Sequence, residues 1–287
     1  MRIGTMSRVV TVVFALAAVA VAGMSVKVDE QTQRYMIEDN GQPVLTYNFG
    51  TVPVPAGVDG KYAVARSDYV HPLYGPNGEV LTKDYSPDHP HHRGIYWAWP
   101  EVTYGGETRD LHALQGVFAR PVKMLRHDGG VLEAENVWKW GDTEPIVREQ
   151  VLIRVRPGRV VDFEFRLTAL KEPVTIARRY RDAYGGLNLR FAALQKQKIA
   201  TSDGWAVITG VPPGGKEPVS VAMFQHPDNP GDWVQYPKLN WLQPTFPAKN
   251  TAFTLTPDKP LVLKYRLWVF AGAPDEKELA RRWSQYQ

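Results

Sequence analysis

The chain has 287 residues, 34 basic and 30 acidic side chains for a formal charge of +4, and no cysteine. The missing cysteines exclude disulfides, thiolate metal ligands and a lipidated-cysteine anchor, and the near-balanced charge without a Lys/Arg block argues against nucleic-acid and membrane-surface partners. No GxGxxG or GxxxxGK[ST] run follows a strand pattern and no GxSxG elbow is present, so a nucleotide-binding fold is not expected.

Residues 1–22 come first: Arg2 and Arg8, an apolar run over 9–22, and a small-x-small ending at Ala20-Val21-Ala22. This pattern reads as an export signal cut after about Ala22, with an uncleaved anchor as the alternative. The predicted location is periplasmic or secreted. Residues 23–287 contain no recognisable linker and are taken as one domain, with a formal charge reduced from +4 to +2 by the two lost arginines.

The signal along this remainder is β. Residues 34–39, the turn Asn40-Gly41 and residues 43–47 predict a hairpin, because Asn-Gly suits a two-residue loop. Residues 149–155, Pro157-Gly158 and residues 160–167 predict a second, in which Val161, Phe163, Phe165 and Leu167 alternate with Asp162, Glu164 and Arg166, as in a strand with one wet face. Further strands are expected over 131–140, 205–209, 219–224, 252–256 and 261–270. Residues 274–283 predict a helix, with an acidic start and a basic end that suit its dipole. Many short strands with Gly/Pro turns and almost no helix between them predict an all-β fold, a large antiparallel β-sandwich with a short C-terminal helix.

The densest chemistry lies in His89-Pro90-His91-His92-Arg93-Gly94; with His71 and His112, five of the seven histidines fall between 71 and 112. Packing imidazoles together costs desolvation and mutual repulsion on charging, which structure alone seldom requires. On a strand His89 and His91 would face one way and His92 the other. A sugar hydroxyl or hemiacetal needs a proton donor and acceptor of near-neutral pKa, which a histidine and a carboxylate supply. The candidate acids are Glu79, Asp84, Asp88, Glu101 and Asp228. Arg93 could hold a carboxylate or an enolate-like oxygen. Trp97, Trp99 and Tyr184 could form a stacking floor, although for Trp97 and Trp99 the core is the commoner fate of such a residue. His226, in a Pro/Asp/Asn-rich loop, is the best distant partner for the cluster, or else a turn cap. No cofactor is expected. The histidines could still take a divalent metal, Zn²⁺ or Cu²⁺, but they lack the i, i+4 pair of HExxH, and Asp88 beside His89 and His91 fits a two-His-one-carboxylate iron site only loosely.

Residues 68–75, the run Gly78-Glu79-Val80-Leu81-Thr82 and residues 88–99 together look like the signature of the PmoA-like family, also called "methane oxygenase PmoA". Residues 184–190 and 224–230 are similar to that family too. A membrane monooxygenase subunit works with several embedded segments, and beyond the amino-terminal run no apolar stretch reaches the roughly 18 residues a span needs. The resemblance implies a place among the exported proteins of that family in carbohydrate-degrading bacteria, with a sandwich resembling that of sugar mutarotases, a mutarotase-like supersandwich, and of polysaccharide-active enzymes. The expected function is a hydrolase, lyase or epimerase acting on a sugar or oligosaccharide. His89, His91, His92 and Arg93 are its expected catalytic groups, and His71, Trp97, Trp99, Tyr184, His226 and Asp228 its substrate contacts. The alternatives are a non-catalytic glycan-binding module and a metal-dependent oxidase.

Overall fold

The computed structural model describes residues 23–86, 89–233 and 240–286, so the expected signal segment lies outside the described residues, as does Asp88. Asn40 and Gly41 adopt φ of 50° and 77°, the pair of left-handed positions that a two-residue turn needs, and they join Arg34–Asp39 to Gln42–Asn48. Gly158 and Arg159 turn the chain from Glu144–Arg156 into Val160–Ala169. In the second of these strands Val161, Phe163, Phe165 and Leu167 are buried and their neighbours half-buried, the alternation read from the sequence.

Among the described residues these hairpins extend into two large antiparallel sheets. One has nine strands and runs from Met24–Asp29 through Arg34–Asp39, Gln42–Asn48, Tyr69–Leu73 and Ile95–Ala98 to Gly186–Arg190 and the short strands beyond it. The other has eight, in the order Val117–Asp128, Val131–Trp140, Glu144–Arg156, Val160–Ala169, Leu261–Ala271, Val219–Gln225, Trp205–Val211 and Gln195–Ser202. Apolar residues of both sheets join in one buried cluster, with the Trp97 ring of the first 4.3 Å from that of Phe165 of the second and tilted by 35°. The fold is thus the expected antiparallel sandwich. Glu101–Tyr104, Glu107–Arg109, Val174–Ala177 and Ala252–Leu255 form a four-stranded side sheet, and Asp84–Ser86 pairs with His89–Arg93 as a two-stranded ribbon.

Asp275 caps the helix Glu276–Ser284 by accepting from the Lys277 N–H at 2.9 Å. The helix lays Leu279 and Trp283 over Trp205, Phe224 and Trp268 on the outer face of the eight-stranded sheet. Among the described residues no helix is long and apolar enough to cross a membrane. Val117–Asp128 is a strand that the pattern does not reveal: its second half is mostly exposed, it contains Pro121, and two register shifts interrupt its pairing with Val131–Trp140.

Candidate functional site

The ribbon strand His89–Arg93 ends at Gly94, whose φ of 56° turns the chain into Ile95–Ala98. The Gly94 N–H donates to the Lys83 carbonyl and its own carbonyl accepts from Arg190, both at 2.8 Å, which ties the ribbon to the nine-stranded sheet. A second support is the turn carrying His112. The Trp99 carbonyl accepts from the Leu111 and His112 N–H groups, Asp110 accepts from the Ala113 N–H, and Arg66 Nη2 donates to the carbonyls of Leu111 and His112 at 3.2 and 2.6 Å. The short helical turn Arg179–Arg181 is the third: the Arg179 N–H donates to the Tyr184 carbonyl, and its guanidinium pairs with Asp110.

These supports enclose a cavity of about 300 Å³, at the lower end of what a small-molecule site occupies. His89, His91 and His92 line its floor, Tyr62, Tyr184 and Trp241 its walls, and Ala113 and Arg179 its rim. His112 lies beneath, its ring centroid 5.5 Å from His91, 5.4 Å from His92 and 4.9 Å from Tyr184. Tyr62 sits 4.9 Å from His91, and Trp241 5.1 Å from His92.

The electrostatics run one way. Burial, with the positive charge of Arg66 and the other histidines adding to it, pushes His91 down to about 3, and His92 and His112 are pushed below the ordinary histidine value by the same causes. At neutral pH these imidazoles are uncharged. Arg66, fully enclosed 4.7 Å from the centre of the Tyr96 ring, is itself lowered to about 10 by burial.

The structure brings His89, His91, His92 and Tyr184 together around one cavity and separates the other candidates. The expected alternation fails, since the His91 and His92 rings lie only 4.4 Å apart. The ribbon is too short and coiled for two clean faces: its partner strand carries Tyr85 at φ 48°, with a register shift between Asp84 and Ser86. Arg93 does not line the cavity. It is fully buried, pairs with Asp84, donates to the Tyr69 hydroxyl and lies 3.4 Å over the Tyr85 ring, so it braces the ribbon.

Trp97 and Trp99 are core residues rather than a stacking floor. The Trp97 indole donates to Glu149 inside the sandwich, and Trp99 donates to the Phe246 carbonyl at 2.8 Å, because both faces of this strand are covered. His71 is 2.9 Å from the Thr82 hydroxyl and also lies outside the cavity lining. His226 and Asp228 pair with each other at 3.6 Å; His226 lines a different cavity, with Arg154, Arg266 and Tyr286. Of the candidate acids, Asp84 is taken by Arg93, Glu79 by Asn77 and Glu101 by Arg181. Among the described residues no carboxylate lines the cavity.

Sequence reasoning assigned no role to His112, Tyr62, Arg179 or Trp241. His112 stood close enough to the cluster to be noticed, and Arg179 belongs to the basic run just before Tyr184; Tyr62 and Trp241 sit in segments without periodicity and gave no signal.

A family model matches residues 34–284. The chain belongs to DUF6807, a family of unknown function. Against the curated proteins no match is found. Among solved structures, the chain is similar to the heparan sulfate lyase HepC from Pedobacter heparinus at 8% identity and a TM-score of 0.42, covering 89% of this chain and 36% of that one. It is similar to a polysaccharide lyase at 13% and 0.42, covering 82% and 34%, and to an α-galactosidase from Geobacillus stearothermophilus at 8% and 0.37, covering 87% and 41%. This DUF6807 chain thus spans well under half the length of each, and none of these likenesses assigns it an activity.

Proposed function

We propose that this chain is an exported carbohydrate-active enzyme that takes a sugar or oligosaccharide into the cavity walled by Tyr62, Tyr184 and Trp241. The observation that carries this reading is the combination of three aromatic rings around a histidine floor, in which the His91 and His92 imidazoles are uncharged, in a cavity of ligand size. Aromatic faces stack on the apolar faces of sugar rings, and a neutral imidazole both donates and accepts hydrogen bonds to hydroxyl groups. The resemblance to PmoA-like exported proteins supports the location.

Glycoside hydrolysis in its common form uses two carboxylates roughly 5–9.5 Å apart. With imidazoles in place of carboxylates, a lyase or epimerase that removes a proton beside a carbonyl or from a hydroxyl is the better fit; His91 and His92, pushed down by burial, are weak bases and serve as hydrogen-bond partners of the sugar, which leaves His89 as the candidate base. The guanidinium groups of Arg66, Arg179 and Arg190 around the histidines favour a sugar bearing a carboxylate.

Calorimetric titration with neutral and uronate oligosaccharides tests this reading. Trp241→Ala and Tyr184→Ala are each expected to weaken binding about 3- to 10-fold, the worth of one aromatic contact. His226→Ala should leave binding unchanged. Failure of every oligosaccharide to bind, or binding indifferent to Trp241→Ala, would reject it.

A further inference from the structure

The geometry points to a site for one divalent first-row transition-metal ion on His91, His92 and His112. Each ring offers a nitrogen, and the three nitrogens lie within 4.8 Å of one another. All three side chains are more than nine-tenths buried, at 9%, 3% and 0% exposure, and the Nδ1 of each is enclosed without a hydrogen-bond partner. One orphaned buried nitrogen is an ordinary imperfection; three on rings whose centroids lie 4.4, 5.4 and 5.5 Å apart call for a shared partner.

The surroundings suit ligation. His112 Nε2 is 2.9 Å from the Tyr96 hydroxyl, so its N–H can donate there and leave the Nδ1 lone pair for the metal. Histidines that bind metals ordinarily have such a partner on the other ring nitrogen. Binding at about 2.0–2.1 Å requires the nitrogens to draw together by roughly an ångström, within reach of small χ rotations. A set of imidazoles alone excludes the hard ions Ca²⁺ and Mg²⁺ and favours Zn²⁺, Cu²⁺, Ni²⁺ or Fe²⁺. Because His91 and His92 also line the cavity, an ion held by three protein nitrogens would keep a coordination position for water or substrate. The nearby Arg66, Arg179 and Arg190 oppose a bare dication and favour an anionic fourth ligand, hydroxide or a substrate oxygen.

The site shares its cavity with the sugar reading but does not depend on it, so metal is measured on purified full chain without sugar. Chelator-treated protein is titrated with Zn²⁺ and Co²⁺ and its metal content determined after desalting. One equivalent is expected, unaffected by excess Ca²⁺ or Mg²⁺, and the Co²⁺ form should show the visible absorption of a low-coordinate nitrogen site. His92→Gln is expected to lower affinity at least about 100-fold and Tyr96→Phe about 10-fold, the latter removing only a hydroxyl and so keeping the fold. His226→Ala should bind as the parent does. Folding of each variant is checked by circular dichroism. Substoichiometric uptake of Zn²⁺, Co²⁺, Cu²⁺, Ni²⁺ and Fe²⁺ by the folded parent would overturn the proposal, as would full affinity in both His92→Gln and Tyr96→Phe. Sugar titrations of metal-free and loaded protein separate the two readings: metal without sugar binding defeats the sugar reading alone, and sugar without metal binding defeats this one alone.

Discussion

Asp68 and Glu149 place two carboxyl groups side by side within the sandwich, both almost wholly buried. The Tyr47 hydroxyl and the Asn136 amide donate to one Asp68 oxygen at 2.6 and 2.8 Å, while the indoles of Trp97 and Trp138 donate to the two oxygens of Glu149. Two carboxyl groups can hydrogen-bond only through a proton. With Glu149 already accepting on both oxygens, that proton belongs on Asp68, whose pKa is raised well above 3.8 by burial and by the neighbouring Glu149 charge. The unfolded chain releases this proton near pH 4 and the native state keeps it, so Asp68 lowers stability as pH rises above that value. Asp68→Asn keeps a donor toward Glu149 and an acceptor for Tyr47, and it removes the penalty. Urea unfolding should show the variant within about 1 kcal/mol of the parent at pH 6 and gaining on it by pH 8, whereas Glu149→Gln, which turns an N–H donor toward an indole N–H, should lose about 2–4 kcal/mol. A parent that outlasts Asp68→Asn increasingly at high pH would show that the proton lies elsewhere. Neither acid stood out in the sequence, because their pairing depends on two sheets meeting across a core and not on spacing along the chain.

At the scale of elements, the histidine ribbon hangs on Gly94. A Cβ there would meet the Val70 carbonyl oxygen at 2.2 Å and the His71 Cβ at 2.8 Å, in a backbone conformation at φ 56° that side chains rarely adopt. The nearest obstacle is main chain, which cannot swing aside. Gly94→Ala is therefore expected to cost about 2–4 kcal/mol and to displace His91 and His92 together, so ligand binding in the cavity should fall even where the protein remains folded. A variant with parental stability and binding would mean that the ribbon does not need this junction. The ribbon also marks the limit of what could be read in advance. Strands with one dry face, such as Val160–Ala169 and Val131–Trp140, were legible because burial imposes a period of two, and the helix Glu276–Ser284 because its ends carry cap and charge signals. The ribbon is enclosed on both sides, by Tyr62 and His112 around His91 and by Trp241 around His92, so no period survives. Adjacency in sequence revealed the histidines; the walls come from loops far along the chain and could not be inferred from it.

For the whole molecule, the buried histidines outweigh the buried acid. His91, His92 and His112 are all held below the ordinary histidine value of 6.5, His91 at about 3. The sign follows from proton uptake: below pH 6.5 the unfolded chain takes up protons that the native state refuses, so their contribution is fully present above that pH and is lost as pH falls. Each such histidine removes up to about 1.4 kcal/mol per pH unit, or about 4 kcal/mol for three, whereas Asp68 acts in the opposite sense through a single proton. Against a total stability of roughly 5–15 kcal/mol, two pH units on that slope consume most of what holds the fold together. Urea midpoints should accordingly be highest near pH 6.5, decline gently toward pH 8 as the native state keeps the Asp68 proton, and fall steeply from 6 to 4.5, and His91→Asn should shallow that acid-side fall by up to about one third. Stability that stays level down to pH 4.5 would mean that the histidine cluster admits protons while folded, and that the cavity floor is open to water rather than sealed.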